Sequence, residues 1–247
     1  MEKLTRRTFV AAALAASSTP AFSASAARPD PEVVRLYAAV TGEPFAIPAV
    51  DLSRINPAFL RTVVTYPTPE APGTLVVDAA AHFLYRVEDD GLATRYGVGV
   101  GKQGFGWSGI ATIHDKQEWP DWYPPKEMLE RQPSLLRAMS RLRSGIGMPG
   151  GPGNPLGARA MYLWQDNEDT LYRIHGTVEP WSIGHSVSSG CIRMINQDAL
   201  DLYSKTPVGT QVVVLGSEPE RDFPGSTEEL LNHPERIFPG YARGSLW

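Results

Sequence analysis

The sequence predicts a mainly β domain, and three observations lead there. Short apolar or alternating runs recur from about Gly73 to Leu215, each bounded by turn residues. The 247-residue chain carries 22 prolines and 23 glycines, which suit loops, turns and short strands better than long helices. Its 42% hydrophobic and 20% charged residues are an ordinary globular balance, and a chain of this length buries a core without disulfide staples.

Residues 1–26 are expected to be an export signal. Lys3, Arg6 and Arg7 make a basic start, Phe9 to Ala16 is an apolar run too short to span a bilayer, and Ala24-Ser25-Ala26 suits cleavage. Thr5-Arg6-Arg7-Thr8-Phe9-Val10 resembles a twin-arginine signal, with a Sec signal holding two arginines as the plainer alternative. Either route carries the mature chain out of the cytoplasm. No second apolar segment follows, so a periplasmic or exported chain without a transmembrane segment is expected.

Residues 27–72 read as a linking N-terminal extension, with helical spacing in Pro31–Val40 and then prolines at 44, 48, 57, 67 and 69. The domain proper is placed at 73–216. Leu75-Val76-Val77 and Phe83–Val87 are strands, Asp89-Asp90-Gly91 is a hairpin turn, and Thr94–Val100 is the returning strand. Ile110–His114 is another strand, and the prolines of Trp119–Pro125 fix an ordered loop. Short helices are expected at Lys126–Arg131, opened by Pro125, and over Ser134–Leu142. Met148–Gly157 is a loop. Ala160–Trp164 and Thr170–Ile174 are strands flanking a polar turn, Asn196 is an N-cap with Asp198 and Asp201 in the first turns, and Gln211–Leu215 is the last strand. Residues 217–247 read as a polar C-terminal extension.

Charge narrows the function classes. Without residues 1–26 the chain keeps 20 basic and 26 acidic residues, a net charge near −6, which argues against binding nucleic acid through bulk charge. The single cysteine, Cys191, cannot form an internal disulfide. Its bland reading is a small buried hydrophobe.

The neighbours of Cys191 suggest chemistry. Tyr172-Arg173-Ile174-His175-Gly176-Thr177 ends a strand in a histidine, and Cys191 follows sixteen residues after His175 within Ser188-Ser189-Gly190-Cys191-Ile192-Arg193-Met194. A thiol of ordinary pKa, about 8.5, needs a base to act as a nucleophile near neutrality, and imidazole is the natural one. Gly190 permits close backbone approach, so the N–H groups of Gly190 and Cys191 are candidate oxyanion donors. In an extended chain Arg193 shares a face with Cys191 and suits a substrate carboxylate. Ser188 and Ser189 flank the nucleophile as further binding candidates. A zinc reading uses His175, His185 and Cys191, but their spacing matches no common site.

The run IHGT, SIG, SSGCIRM, a helix and GTQVVV resembles the L,D-transpeptidase catalytic domain family, cysteine enzymes of peptidoglycan. Gly73–Asp78, Arg95–Gly101, Trp107–Gly109, Glu118–Pro120 and Asn154–Gly157 are similar to its Gram-negative branch. The resemblance implies a β-sandwich-like fold of mixed sheets with a few short helices. It implies a thioester at Cys191, with His175 as base and the Gly176 carbonyl as the third catalytic group. It further implies release of D-Ala from a tetrapeptide stem and transfer to an amine, either another stem's diaminopimelate or a lipoprotein lysine. No metal or organic cofactor is implied, and carbapenems are implied inhibitors. Water as acceptor gives an L,D-carboxypeptidase, and a silent site gives a wall-binding protein. Ser189 departs from the family, in which many members have His before Gly-Cys.

Plainer roles are open for the remaining residues. His185 reads as a solvated loop residue, and His82, His114 and His233 as surface or strand-edge residues. Trp119, Trp122 and Trp181 either line a cleft or pack. Tyr162 and Trp164 alternate along a strand and are expected in the core. Arg193 has Asp198 or Glu179 as a simple ion-pair alternative.

Overall fold

The computed structural model describes residues 30–101, 107–188 and 190–216. The expected export signal, the C-terminal extension, Ser189 and His233 lie outside these residues.

Thirteen strands follow along the described chain: β1 (Thr62–Thr65), β2 (Leu75–Asp78), β3 (Phe83–Val87), β4 (Leu92–Gly97), β5 (Val100–Gly101), β6 (Gly109–Glu118), β7 (Ser140–Leu142), β8 (Gly145–Gly147), β9 (Arg159–Gln165), β10 (Glu168–His175), β11 (Ser186–Ser188), β12 (Ile192–Arg193) and β13 (Gln211–Val214). Nine of them form one sheet in the order β1-β4-β3-β2-β13-β6-β9-β10-β12. The unbroken apolar runs of β2 and β13 lie side by side in parallel near its middle, as expected of strands covered on both faces. β10 and β12 are also parallel, and the other neighbours of this sheet run antiparallel. The pairs β5–β11 and β7–β8 stand apart.

Turn chemistry sets the registers. Asp90 (φ 58°) and Gly91 (φ 70°) both take the left-handed region between β3 and β4, and Asp166 (φ 49°) and Asn167 (φ 65°) do the same between β9 and β10. Two consecutive positive φ values match the right-handed twist of a two-residue hairpin, so Asx and Gly at these places are chosen by the backbone. Helix α3 (Asn196–Lys205) lies against β9 and β10, with Met194, Ala199 and Leu202 joining Leu75, Leu84, Tyr96, Ile113, Met161, Leu163 and Ile174 in the core.

Four expectations are corrected. Ser134–Leu142 is a 3₁₀ turn at Pro133–Ala138 followed by β7, because Gly145 and Gly147 let β8 fold back on it. The strand expected to reach Val100 stops at Gly97, where Phe59 packs against the chain, and Val100 instead opens β5. Along β9 it is Met161 and Leu163 that are buried, while Tyr162 and Trp164 stand on the other face, half-buried. Asn196 is the first helical residue, capped by Ile195 without a side-chain cap bond.

The segment before Gly73 is built into the body and does not simply link. α1 (Pro31–Leu36), with Asp30 as its N-cap and a proline in its first turn, delivers Tyr37 to a second small core with Ile55, Ile183 and Ile195. β1 extends the large sheet along β4. A buried polar network ties the segment to α3. Tyr37 Oη donates to Asp198 (3.0 Å) and accepts from Arg61 N (2.7 Å), while the Arg61 guanidinium contacts Asp201 (2.7 Å) and Asp198 (3.6 Å). Tyr96 Oη donates to Asp201 at 2.7 Å.

Burial pushes the Asp198 carboxyl up to about 7, since the Arg61 cation is shared with Asp201 and offsets the lost solvation only in part. This folded value lies above the ordinary 3.8, so the stability Asp198 contributes is complete below about 4 and lost as pH rises through about 7. Arg61→Ala leaves buried Asp198 without its cation, while Asp201 keeps Lys205 at 3.0 Å, and is expected to cost about 3–5 kcal/mol at pH 8. Urea unfolding at pH 8 and pH 5 tests this, the cost shrinking at pH 5 where Asp198 takes up a proton; an equal cost at both pH values would sink the account.

Candidate active site

The fifteen residues between His175 and Cys191 are closed into a crossover by the sheet. β10 and β12 run parallel with Ile174 opposite Ile192 and His175 opposite Arg193, and Met194 N donates to the His175 carbonyl at 2.8 Å. Between them the chain makes a 3₁₀ turn at Pro180–Ser182 and lays β11 beside β5. Arg193 is held on its other side by Gly99, with paired backbone bonds of 2.7 and 2.9 Å.

His175, Cys191 and Arg193 line one cleft of about 400 Å³, together with Arg173, Leu171 and Tyr162. The opposite wall is the proline-rich loop and α2 (Lys126–Arg131), through Trp122, Tyr123 and Met128. Buried Asn154 organises this wall: its Nδ2 donates to the carbonyls of Pro120, Met148 and Pro149 at 3.0–3.1 Å and its Oδ1 accepts from Leu156 N at 2.9 Å.

His175 is buried and its Nδ1 lies 2.6 Å from the Gly176 carbonyl. A carbonyl only accepts, so Nδ1 carries the proton and the neutral ring keeps its lone pair on Nε2. Burial drives the His175 pKa down to about 4, and the nearby charges of Arg193 and Arg173 add to this against the backbone bonds with Gly176 and Leu156. The ring is therefore a neutral proton acceptor at any pH near 7.

Cys191 is partly exposed at the cleft, with Sγ at 4.0 Å from the Leu171 carbonyl. Burial raises its thiol pKa, while a backbone hydrogen bond from Arg173 and the charges of Arg173 and Arg193 pull it down. The cleft is accordingly lined at rest by a thiol and a neutral imidazole. Gly190, just before it, is buried at φ 137°, a conformation that L side chains rarely adopt, against the ring of Tyr172.

The other candidates scatter. Ser188 ends β11 opposite Gly101. Arg193 pairs with Glu179 at 3.4 Å, while Asp198 belongs to Arg61. Trp122 lines the cleft, Trp119 packs edge-on to Phe45 at 5.0 Å and bonds Glu43, and Trp181 lies under Arg54. His82 reaches Ser186 Oγ at 3.1 Å, and His114 stacks on Trp164 at 3.8 Å. Among the described residues no three His, Cys, Asp or Glu side chains gather as metal ligands.

Sequence reasoning passed over Arg173, Leu171 and Tyr162. Counting back from His175 by twos reaches Arg173 and Leu171, so a signal existed, but a bulge at Asp169–Arg173 interrupts the strand. Leu171 takes φ 63° there and is 75% exposed, an apolar side chain held at the mouth of the cleft. Asp169 fastens the bulge by accepting from Leu171 N (2.9 Å) and from both ends of the Arg173 guanidinium (2.7 and 2.8 Å). Arg173 also lies 4.4 Å over the Tyr162 ring.

His175 at the end of β10 and Cys191 just before β12 share one cleft of a mainly β domain. The YkuD family model, the L,D-transpeptidase catalytic domain, matches residues 72–214, and the chain belongs to that family. The probable L,D-transpeptidase ErfK/SrfK of Escherichia coli K12 is 32% identical over 149 residues, 58% of this chain and 44% of that protein. The probable L,D-transpeptidase YbiS of the same strain is 31% identical over 144 residues, 57% of this chain and 43% of that protein. The chain thus spans under half the length of these curated relatives. A crystal structure from Brucella melitensis, described as a probable carnitine operon oxidoreductase, is 53% identical and covers 67% of this chain and 99% of that one, with a TM-score of 0.44.

His175 is expected to titrate near 4, well below the ordinary 6.5, and pH-dependent NMR of its ring resonances measures this. As pH falls the unfolded chain takes up the proton first, so stability from the neutral ring is present above about 6.5 and lost as pH falls through about 4. A midpoint near 6.5 in the folded protein would contradict the burial argument.

Proposed function

We propose that this chain is an L,D-transpeptidase acting on peptidoglycan tetrapeptide stems through a thioester at Cys191. The observation that carries the reading is the bond from His175 Nδ1 to the Gly176 carbonyl in the cleft that Cys191 also lines, because it leaves a neutral acceptor nitrogen in the same cleft as a thiol. His175 Nε2 takes the Cys191 proton as sulfur attacks the carbonyl of the third stem residue. The resting thiol makes this general-base attack, with the proton leaving as the C–S bond forms, and no preformed thiolate is needed. The tetrahedral oxyanion is held by the backbone N–H groups of Gly190 and Cys191. Its collapse breaks the peptide bond, and His175 returns the proton to the departing D-Ala amine. An incoming amine then attacks the thioester, gives its proton to His175, and Cys191 leaves as the thiol.

The acceptor is another stem's side-chain amine, giving a third-to-third cross-link, or a lysine of an outer-membrane lipoprotein. Arg193 binds a substrate carboxylate, exchanging its 3.4 Å contact with Glu179 for a closer charge-assisted one. Ser188 and Ser189 border the nucleophile as binding residues. The Arg6-Arg7 leader supports twin-arginine export to the periplasm, where such stems lie. Among the described residues no helix is long and apolar enough to cross a membrane.

Incubation of the mature protein with disaccharide-tetrapeptide is expected to release D-Ala and form a third-to-third dimer, followed by mass spectrometry of protein and muropeptides. Cys191→Ala and His175→Ala should each abolish turnover within detection, and only the protein with Cys191 intact should gain the mass of a carbapenem. Tripeptide alone as product identifies water as the acceptor and makes the chain an L,D-carboxypeptidase. Turnover unchanged in Cys191→Ala would refute the mechanism, and no turnover with any acceptor would leave a wall-binding role. Arg193→Ala is expected to raise KM by about tenfold, the loss of one charge-assisted hydrogen bond, with a smaller change in kcat; an unchanged KM removes Arg193 from substrate binding.

A further inference from the structure

We propose that Asn196 is a positioning residue for His175, acting through the Gly176–Thr177 peptide. The proposal rests on the reading of His175 as the base. Asn196 opens α3, yet its side chain caps nothing in that helix. Its amide bridges two other segments: Oδ1 accepts from Ala158 N at 3.0 Å, and Nδ2 donates to the Thr177 carbonyl at 3.0 Å. These partners allow one orientation of the amide, since an N–H needs the oxygen and a carbonyl needs the NH₂.

Between the two bonds lies the carbonyl that orients the imidazole. Gly176 N donates to the Arg159 carbonyl at 3.0 Å, and Gly176 O receives His175 Nδ1 at 2.6 Å. Glycine is the residue most free to rotate its flanking peptides, so this carbonyl needs an external lock. The packing supplies a slot: a methyl group at Gly176 or at Gly157 would overlap Asn196 Oδ1, and one at Gly157 would stand 2.6 Å from the Gly176 carbonyl carbon and 2.7 Å from Thr177 N. The peptide therefore lies between Gly157 and the Asn196 amide with no room for a side chain. Thr177 O lies on the following peptide, so releasing it loosens Thr177, lets the Gly176–Thr177 peptide turn, moves the Gly176 carbonyl off Nδ1, and removes the reason for the proton to stay there. An imidazole with its proton on Nε2 has no lone pair facing outward for the Cys191 proton. The same outcome on a different scale is familiar wherever a group behind a catalytic histidine fixes its tautomer.

The test uses the ¹⁵N-labelled mature protein, with Asn196→Ala losing both bonds and Asn196→Asp, nearly isosteric, keeping the acceptor for Ala158 N and losing the donor to Thr177. Long-range ¹H–¹⁵N correlation at pH 7 reads the His175 tautomer, thermal unfolding reads the fold, and D-Ala release reads kcat and KM. Wild type is expected to show one neutral Nδ1–H tautomer, and each folded variant a mixture. In those variants kcat falls by about 10- to 100-fold while KM stays within about threefold. If Asn196→Ala does not fold, Asn196→Asp decides. A folded variant with the wild-type tautomer overturns the proposal, whatever happens to its rate. If His175→Ala keeps full turnover, the reading of the base is lost, and the tautomer spectrum still decides the role of Asn196.

Discussion

The parallel pairing of β10 with β12 is the interaction on which the rest of the site depends. Two residue pairs, Ile174 with Ile192 and His175 with Arg193, convert a separation of sixteen residues into adjacency. Both isoleucines are buried in the main core, so the register is held by apolar packing and a slip of one residue would turn Ile192 toward solvent. The same register puts Cys191 and Arg193 on the cleft side, and the Gly99 bonds to Arg193 keep this two-residue strand from fraying. A crossover between parallel strands needs a connection of a dozen or more residues, and the loop from Gly176 to Gly190 supplies it.

Burial then sets the chemistry. A histidine at the end of a strand is ordinarily half-charged near pH 6.5; at 4% exposure, close to two arginines, His175 is neutral throughout the working range. The arginines that help depress the imidazole pKa favour negative charge on sulfur, so the same two side chains bias both ends of the proton transfer proposed for the pair. Their own partners, Asp169 for Arg173 and Glu179 for Arg193, keep the cleft from accumulating unbalanced positive charge. The bulge at Leu171 belongs to this arrangement, since it aims a carbonyl at the thiol and presents an apolar side chain at the entrance.

The segment before Gly73 supports the site from behind. Tyr37 and Arg61 hold α3 through Asp198 and Asp201, and α3 begins with Asn196, which donates to the Thr177 carbonyl two residues after His175. Prolines made this segment look like a spacer, because Pro interrupts periodicity wherever it falls. In the fold those prolines open α1 and a 3₁₀ turn and leave Tyr37, Ile47 and Ile55 buried.

Local signals were legible where local physics decides. Hairpin turns at Asp90-Gly91 and Asp166-Asn167 follow from residues that tolerate positive φ, and the apolar runs of β2 and β13 follow from burial on both faces. The Cys191 and His175 pair was singled out by its resemblance to the L,D-transpeptidase motif, since a lone cysteine among five histidines allows chance pairings and residue chemistry alone leaves alternatives open. Tyr162 and Trp164 were misassigned because a strand alternates between two faces and its sequence does not say which face meets the core. Asn196 looked like a cap because Asn before a helical stretch has that local use; its actual partners, Ala158 and Thr177, are remote in the chain. By itself, then, the sequence determined a mainly β domain and its turns and pointed to Cys191 and His175 as the candidate pair, since each depends on short-range conformational preference or on residue chemistry. Only the tertiary structure decided which face each strand shows, the cleft shared with Arg173, and the neutral state of His175, because burial and charge proximity are set by segments that meet only after folding.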